Sequence, residues 1–322
     1  MKKTTQTLHE IKNISANSDK IIKNFFCFQK FPNKCCTFVR FFILNMRRGQ
    51  HFSIDVYEIL HTKAPHTAKK IPSFVIKGLS KLIHQDKINQ FLKENDGVTG
   101  VDLMNRAVDF LNIRINVRGE DNLPDFDSKC IFASNHPLGG ADGMCLASFL
   151  GNRYNQRIKY IVNDILYFLQ PLQSIFVPVN KHGDQGRDAV KMLNDAFASE
   201  DQILTFPAGL CSRKIKGKID DLEWKKMLVT KAVKYQRQVI PVYFEAKNSN
   251  FFYTIANLRQ RFKIKFNIEM LFLPHEMFRV KNATYTIHFG KPIPWQTFDS
   301  SKSSQQWTNW VKQTVYDLVR KE

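Results

Sequence analysis

The chain has 322 residues, 43% of them hydrophobic and 24% charged, a balance that excludes a disordered or fibrous polymer and supplies a large core. Its formal charge of +19 points to an anionic partner: a nucleic acid, an acidic carrier protein or a membrane surface. Cys27, Cys35, Cys36, Cys130, Cys145 and Cys211 form no C-x-x-C pair and have no matching histidine spacing, which argues against a metal site and a secreted disulfide framework.

Residues 1–45 are rich in Phe, Cys and Lys without a sustained period. They read either as an aromatic, basic segment lying on a membrane or as an extension that is not native, with Met46 as the true start; the periodicity that sets in after Met46 favours the extension. The apolar stretch from Phe25 to Met46 is interrupted by Lys30, Pro32, Lys34 and Arg40, so it is not expected to span a bilayer, and it lacks the cleavage pattern of a secretory signal.

Residues 46–112 read as a helical, membrane-facing region. Phe74, Val75, Leu79, Leu82 and Ile83 are expected on one helical face with Lys70, Lys77, Lys81 and Lys87 elsewhere, and Val101 to Leu111 forms a further helix. Two readings stand: a helical pair packed on the main domain, or a basic amphipathic surface that meets the membrane.

From residue 113 to 300 strands alternate with helices, which predicts an α/β domain: a mixed sheet flanked by helices, preceded by the helical N-terminal element. Strands are expected at Ile113 to Arg118, Cys130 to Asn135, Ile158 to Val162, Ile175 to Val179, Gln202 to Phe206, Val239 to Glu245 and Tyr285 to Phe289. Helices are expected at Ala141 to Leu150, Asp184 to Ser199, with Ala189, Val190, Leu193 and Phe197 on its buried face, and Leu222 to Gln236. Residues 301–322 hold a last helix, packed on the domain through Trp307, Trp310, Val311, Thr314, Val315 and Leu318.

The stretch Cys130 to Gly143, CIFASNHPLGGADG, joins an apolar strand to a helix through a glycine turn, with His136 and Asp142 six residues apart. A histidine with a reference pKa of about 6.5 acts as a general base when a carboxylate holds one ring nitrogen as donor and frees the other to accept. The turn Pro137-Leu138-Gly139-Gly140 lets Asp142 fold back to do this, and the N–H groups at the helix start suit an anion or a developing oxyanion. Asp142 as a simple N-cap and His136 as a loop histidine is the plainer alternative.

Three further blocks follow in order: IFVPVNKHGDQGR with Lys181 and Arg187, TFPAGLCSR with Phe206, Pro207, Gly209, Ser212 and Arg213, and VIPVYF from Val239 to Phe244. With Asn135-His136 and Asp142, this order resembles the glycerolipid acyltransferase family, the lysophospholipid acyltransferases that include the bacterial 1-acylglycerol-3-phosphate acyltransferases, over roughly residues 113–294. Their third block usually carries Glu where this chain has Ala208. In this departure the chain looks like the hemolysin-like branch that includes O-acyltransferases of bacterial ornithine and glycine lipids.

The resemblance implies a membrane-associated enzyme that moves a fatty acyl group from acyl-ACP or acyl-CoA, bound as co-substrate without a resident cofactor or metal, to the hydroxyl of a lyso-lipid. The acceptor is a monoacylated amino-acid lipid or lysophosphatidic acid. His136 and Asp142 are the expected catalytic pair. Asn135, Gly139, Gly140, Lys181, Arg187, Phe206, Pro207, Gly209, Ser212 and Arg213 are expected to bind substrate, with Arg213 foremost in neutralising an anionic group. The expected partners are the lyso-lipid, acyl carrier protein and anionic lipids, and the expected place is the cytoplasmic face of the inner membrane, held peripherally. A nucleic-acid binder or a non-catalytic membrane-binding protein would fit the charge but leave the ordered blocks unexplained, and no G-x-S-x-G elbow supports a serine hydrolase.

Overall fold

The computed structural model describes residues 53–57, 72–163, 166–179, 187–215, 217–262 and 268–320, all within one compact unit. The N-terminal extension with its Met46 start, and Lys181, lie outside the described residues.

Among the described residues three helices come first: α1 (Ser73–Leu82), α2 (Gln85–Glu94) and α3 (Gly100–Phe110). The expected face of α1 is corrected. Phe74 is 73% exposed and Val75 is exposed too, while Ile76 and Ile83 are buried with Leu79 beside Ile54 and Val56. Helical spacing permits either stripe; burial chooses the one that meets α2 residues Ile88 and Leu92.

A seven-stranded mixed sheet follows, built from β1 (Arg114–Arg118), β2 (Cys130–Ser134), β3 (Ile158–Asn163), β4 (Phe176–Val179), β5 (Gln202–Thr205), β8 (Gln238–Glu245) and β9 (Thr284–Phe289) in the order β1-β9-β8-β2-β5-β3-β4. All neighbours are parallel except β8 and β9, so β1 and β9 run against the other five. Pro241 sits inside β8, where a missing N–H would break a ladder. Its neighbour β9 has already ended at Phe289, and the Pro241 carbonyl takes the Gly290 N–H at 2.8 Å.

Buried at all five positions, β2 forms the centre. Cys130 and Phe132 face one cluster with α3 and α4 (Ala141–Arg153); Ile131 and Ala133 face another with α5 (Arg187–Ala198), α6 (Met227–Lys234) and α9 (Ser304–Asp317). This two-faced burial is why the strand reads as a continuous apolar run. Cutting back a side chain such as Phe132, which is fully buried, to Ala would cost about 3–5 kcal/mol.

Helix boundaries shift where polar contacts outrank propensity. Leu193, Ala196 and Phe197 line the buried face of α5, while Val190 is exposed. Helix α6 begins at Met227, not Leu222, because Trp224 is buried with its Nε1 donating to Asp221 at 2.9 Å and Lys225 N donates to Pro207 O at 3.0 Å. On α9, Trp307, Val311 and Val315 are buried and Trp310 is exposed. A hairpin, β6 (Arg213–Ile215) and β7 (Lys218–Asp220), joins the third block to Asp221. Helices α7 (Asn250–Arg261) and α8 (Leu273–Arg279) bracket a short 3-10 turn at Ile268–Phe272.

Candidate active site

Where β2 ends, Asn135 replaces main chain with side chain. Its Nδ2 donates to Phe244 O at 3.0 Å and its Oδ1 accepts from Phe244 N at 2.6 Å, which prolongs the β2–β8 ladder by one amide. The backbone is thereby free to turn, and His136 stands just beyond the C-terminal end of the central strand on a fixed support.

His136 Nδ1 lies 2.9 Å from Asp142 Oδ2. Since a carboxylate accepts, the proton is on Nδ1 and Nε2 carries the lone pair. The ring is 13% exposed, and no hydrogen bond to Nε2 is present among the described residues. Asp142 is wholly buried in the first turn of α4, where Leu138 N donates to Oδ2 at 2.9 Å, Gly139 N at 3.3 Å and Gly143 N to Oδ1 at 2.8 Å. Burial opposes its charge, but the His136 ring and these backbone donors outweigh it and hold the carboxyl below its ordinary value. Asp142 is therefore ionised, and it fixes both the tautomer and the orientation of His136.

Glycine is required once in this turn, at Gly139. Gly139 has φ +76°, and a Cβ there would stand 3.0 Å from Cys211 Cβ and 3.1 Å from Leu273 Cδ1. Gly140 instead borders open space and precedes α4 without a side-chain cap, so its surroundings leave room for a ligand.

The third block forms the opposite wall. Phe206 stacks on the His136 ring with centroids 4.0 Å apart, and Tyr160 meets Phe206 edge-on at 5.7 Å. Gly209, at φ +66°, closes the turn by donating to Phe206 O at 2.9 Å. Pro207 is fastened by Lys225, and Ala208 is buried in the apolar cluster with Ile131 and Trp224, surroundings that would not accept an ionised glutamate.

Ser212 and Arg213 turn inward. Ser212 N donates to His136 O at 2.7 Å, and Ser212 Oγ donates to Asp221 Oδ1 at 2.6 Å. Arg213 is 2% exposed, its guanidinium 2.9 Å from Glu269 Oε1 and 2.7 Å from the Cys211 carbonyl, with Phe252 beneath it. Arg259 lies 2.9 Å from the second Glu269 oxygen. Arg213 is thus engaged with a buried carboxylate in the floor of the loop. Arg187, exposed at the start of α5 beside edge strand β4, is three strands away from β2.

Two residues absent from the sequence expectations hold the loop. Asp221 accepts the His136 backbone N–H at 3.2 Å, the Ser212 hydroxyl and the Trp224 indole; burial pushes its carboxyl up. Lys312 and Tyr316 of α9 reach its backbone at 2.7 and 2.9 Å. Asn248 donates to Pro137 O at 3.1 Å. Asp221 follows a hairpin and precedes a tryptophan, and no periodicity marks either residue. Among the described residues no group of His, Cys, Asp and Glu could hold a metal, and no helix is long and apolar enough to cross a membrane.

A protein-family model described as Acyltransferase matches residues 58–321. Lyso-glycine lipid O-acyltransferase of Phocaeicola vulgatus is 48% identical over 276 residues, 86% of this chain and 99% of that protein. The protein of the same name from Bacteroides thetaiotaomicron is 49% identical over 267 residues, 83% of this chain and 98% of its own. Among solved structures, the 1-acyl-sn-glycerophosphate (LPA) acyltransferase PlsC of Thermotoga maritima is similar with a TM-score of 0.41 and 18% identity, over 80% of this chain and 83% of that one.

Proposed function

The chain belongs to the acyltransferase family, and from that premise we infer that it O-acylates a lyso-lipid, with lyso-glycine lipid as the acceptor and a fatty acyl thioester as the donor. The reading rests on one observation above all, the buried carboxyl of Asp142 2.9 Å from His136 Nδ1, which leaves Nε2 as the acceptor.

In the proposed step, Nε2 takes the proton of the acceptor hydroxyl as its oxygen forms a bond to the thioester carbonyl carbon. The negative charge on the carbonyl oxygen falls near the start of α4, where the macrodipole and free N–H groups favour it. As the C–S bond breaks, the thiolate leaves and recovers the proton from the imidazolium, which Asp142 has stabilised meanwhile. Phe206 keeps one face of the ring dry, and Asn135, Gly139, Gly140, Pro207, Gly209 and Ser212 shape the cleft. Arg213 supports that cleft through Glu269, leaving anion recognition to other cations, of which Lys181 is one.

The amino-acid-lipid acceptor is supported by the names of both curated relatives and by Ala208, whose apolar pocket removes the glutamate of the phosphate-acceptor pattern. Acyl-ACP or acyl-CoA fits the donor role, and the net charge of +19 favours an acidic carrier and an anionic leaflet, which supports a peripheral position on the cytoplasmic face of the inner membrane. The purified protein, given lyso-glycine lipid or lysophosphatidic acid with each thioester and followed by mass spectrometry, should form diacylated glycine lipid. Formation of phosphatidic acid alone would overturn the acceptor, and no acyl transfer to either would overturn the reading.

A further inference from the structure

On α7 and at its C-cap, Phe251, Leu258 and the capping Phe262 are 54%, 46% and 69% exposed, and Ile255 is half-buried between them. Their spacing of four, three and four residues puts all four on one stripe. The opposite side of the helix is buried: Phe252 and Tyr253 pack with Cys211, and Ala256 is fully covered. A soluble helix normally shows polar residues on its outer face, so this one is inverted in part.

The charge carried by this segment of the sequence is of one sign. From Ala246 to Ile268 the sequence contains Lys247, Arg259, Arg261, Lys263 and Lys265 and no acidic residue. Arg259 is paired with Glu269, while Lys247 and Arg261 are exposed. An apolar stripe with cations around it complements an anionic bilayer, in which the rings enter the acyl boundary and the cations meet the headgroups.

The helix is also joined to the catalytic turn. Asn248, two residues before α7, donates to Pro137 O, and the N-cap Ser249 accepts from Phe252 N at 3.1 Å and donates to Glu276. We propose that α7 is the bilayer-docking helix, inserting Phe251, Ile255, Leu258 and Phe262 into an anionic leaflet so that its N-terminal end brings the His136 turn to the lyso-lipid. This rests on the lyso-lipid reading for its purpose, but its test is independent of activity.

Flotation of the full chain with vesicles of phosphatidylethanolamine, with and without anionic phosphatidylglycerol, provides that test. The wild type and His136→Ala should bind anionic vesicles alike, and the triple variant Phe251→Ser/Leu258→Ser/Phe262→Ser should lose partitioning on the order of a hundredfold. As a second reading, a polarity-sensitive dye on Leu258→Cys should shift to the blue on anionic vesicles while the same dye on the α6 variant Val233→Cys should not. Wild-type partitioning by the triple variant, or an unshifted dye at position 258, overturns the docking helix even if acylation is confirmed. So does a triple variant that only dissociates a dimer of the chain. Failure of acylation with binding lost in the triple variant would leave the docking helix standing and overturn the lyso-lipid reading instead.

Discussion

The carboxylate of Asp221 accepts the backbone N–H of His136 at 3.2 Å, across 85 residues of sequence. The same oxygen takes the Ser212 hydroxyl at 2.6 Å, and the other takes the Trp224 indole at 2.9 Å. The buried Asp221 side chain thus ties the strand end that carries His136 to the third block and to Trp224, while its backbone is held by Lys312 and Tyr316 of the C-terminal helix. Asp221→Ala leaves buried donors unpaired, each costing about 1–3 kcal/mol, and should lower the melting temperature together with turnover. Asp221→Asn keeps one acceptor and should recover part of both. Burial raises the Asp221 carboxyl, so its contribution is fully present below its unfolded value of 3.8 and is lost as pH rises through the folded one. The stability cost of Asp221→Asn, measured by denaturant titration, should therefore shrink as pH rises.

Asp142 titrates in the opposite sense. Its folded pKa is held below 3.8, so the stability it contributes is present above 3.8 and lost as pH falls through the folded value. Denaturant titrations carried below that pH should show a steeper acid decline for the wild type than for Asp142→Asn. Parallel declines would mean that the His136 pairing does not hold the carboxylate.

Gly143 has no room for a side chain, because an added Cβ would meet the Tyr160 hydroxyl and stand 2.9 Å from its Cζ. Gly143→Ala should destabilise by about 1–3 kcal/mol, since neither α4 nor the buried Tyr160 can move freely. Adding Tyr160→Phe removes the closest atom and should recover part of the loss, read as a rise in melting temperature over the single variant.

Arg213 and Glu269 are 2% and 0% exposed, with 2.9 Å between them. Removing one partner of such a pair leaves a buried charge uncompensated, so Glu269→Gln should cost about 3–5 kcal/mol. If Arg213 supports the loop and does not grip the acceptor, Arg213→Lys should lower stability with little change in KM for the lyso-lipid. A large rise in KM at unchanged stability would return Arg213 to the acceptor site.

The strands that position His136 were legible because each is an apolar run bounded by turn residues, and the mixed sheet matches the expectation in all seven. His136 and Asp142 were legible because they are near in sequence, so a short turn suffices to join them. The hairpin Arg213 to Asp220, the start of α6 and the exposure of Phe74 were not, since each is decided by contacts distant in sequence: Asp221 with His136, Pro207 with Lys225, Ile76 with Ile54. Arg213 shows the same limit. An arginine after a Ser in a substrate-binding block reads as an anion ligand, and only the fold reveals Glu269, 56 residues on, occupying its guanidinium.

The role of His136 as the proposed general base is open to a single decisive comparison, that of wild type with His136→Ala. Purified variant and wild type are compared for transfer from an acyl thioester to lyso-glycine lipid, with circular dichroism and melting temperature recorded on the same samples. If His136 is the base, turnover falls by about a hundred- to ten-thousand-fold in a protein that folds and melts as the wild type does. Near-wild-type transfer by the folded variant would contradict it.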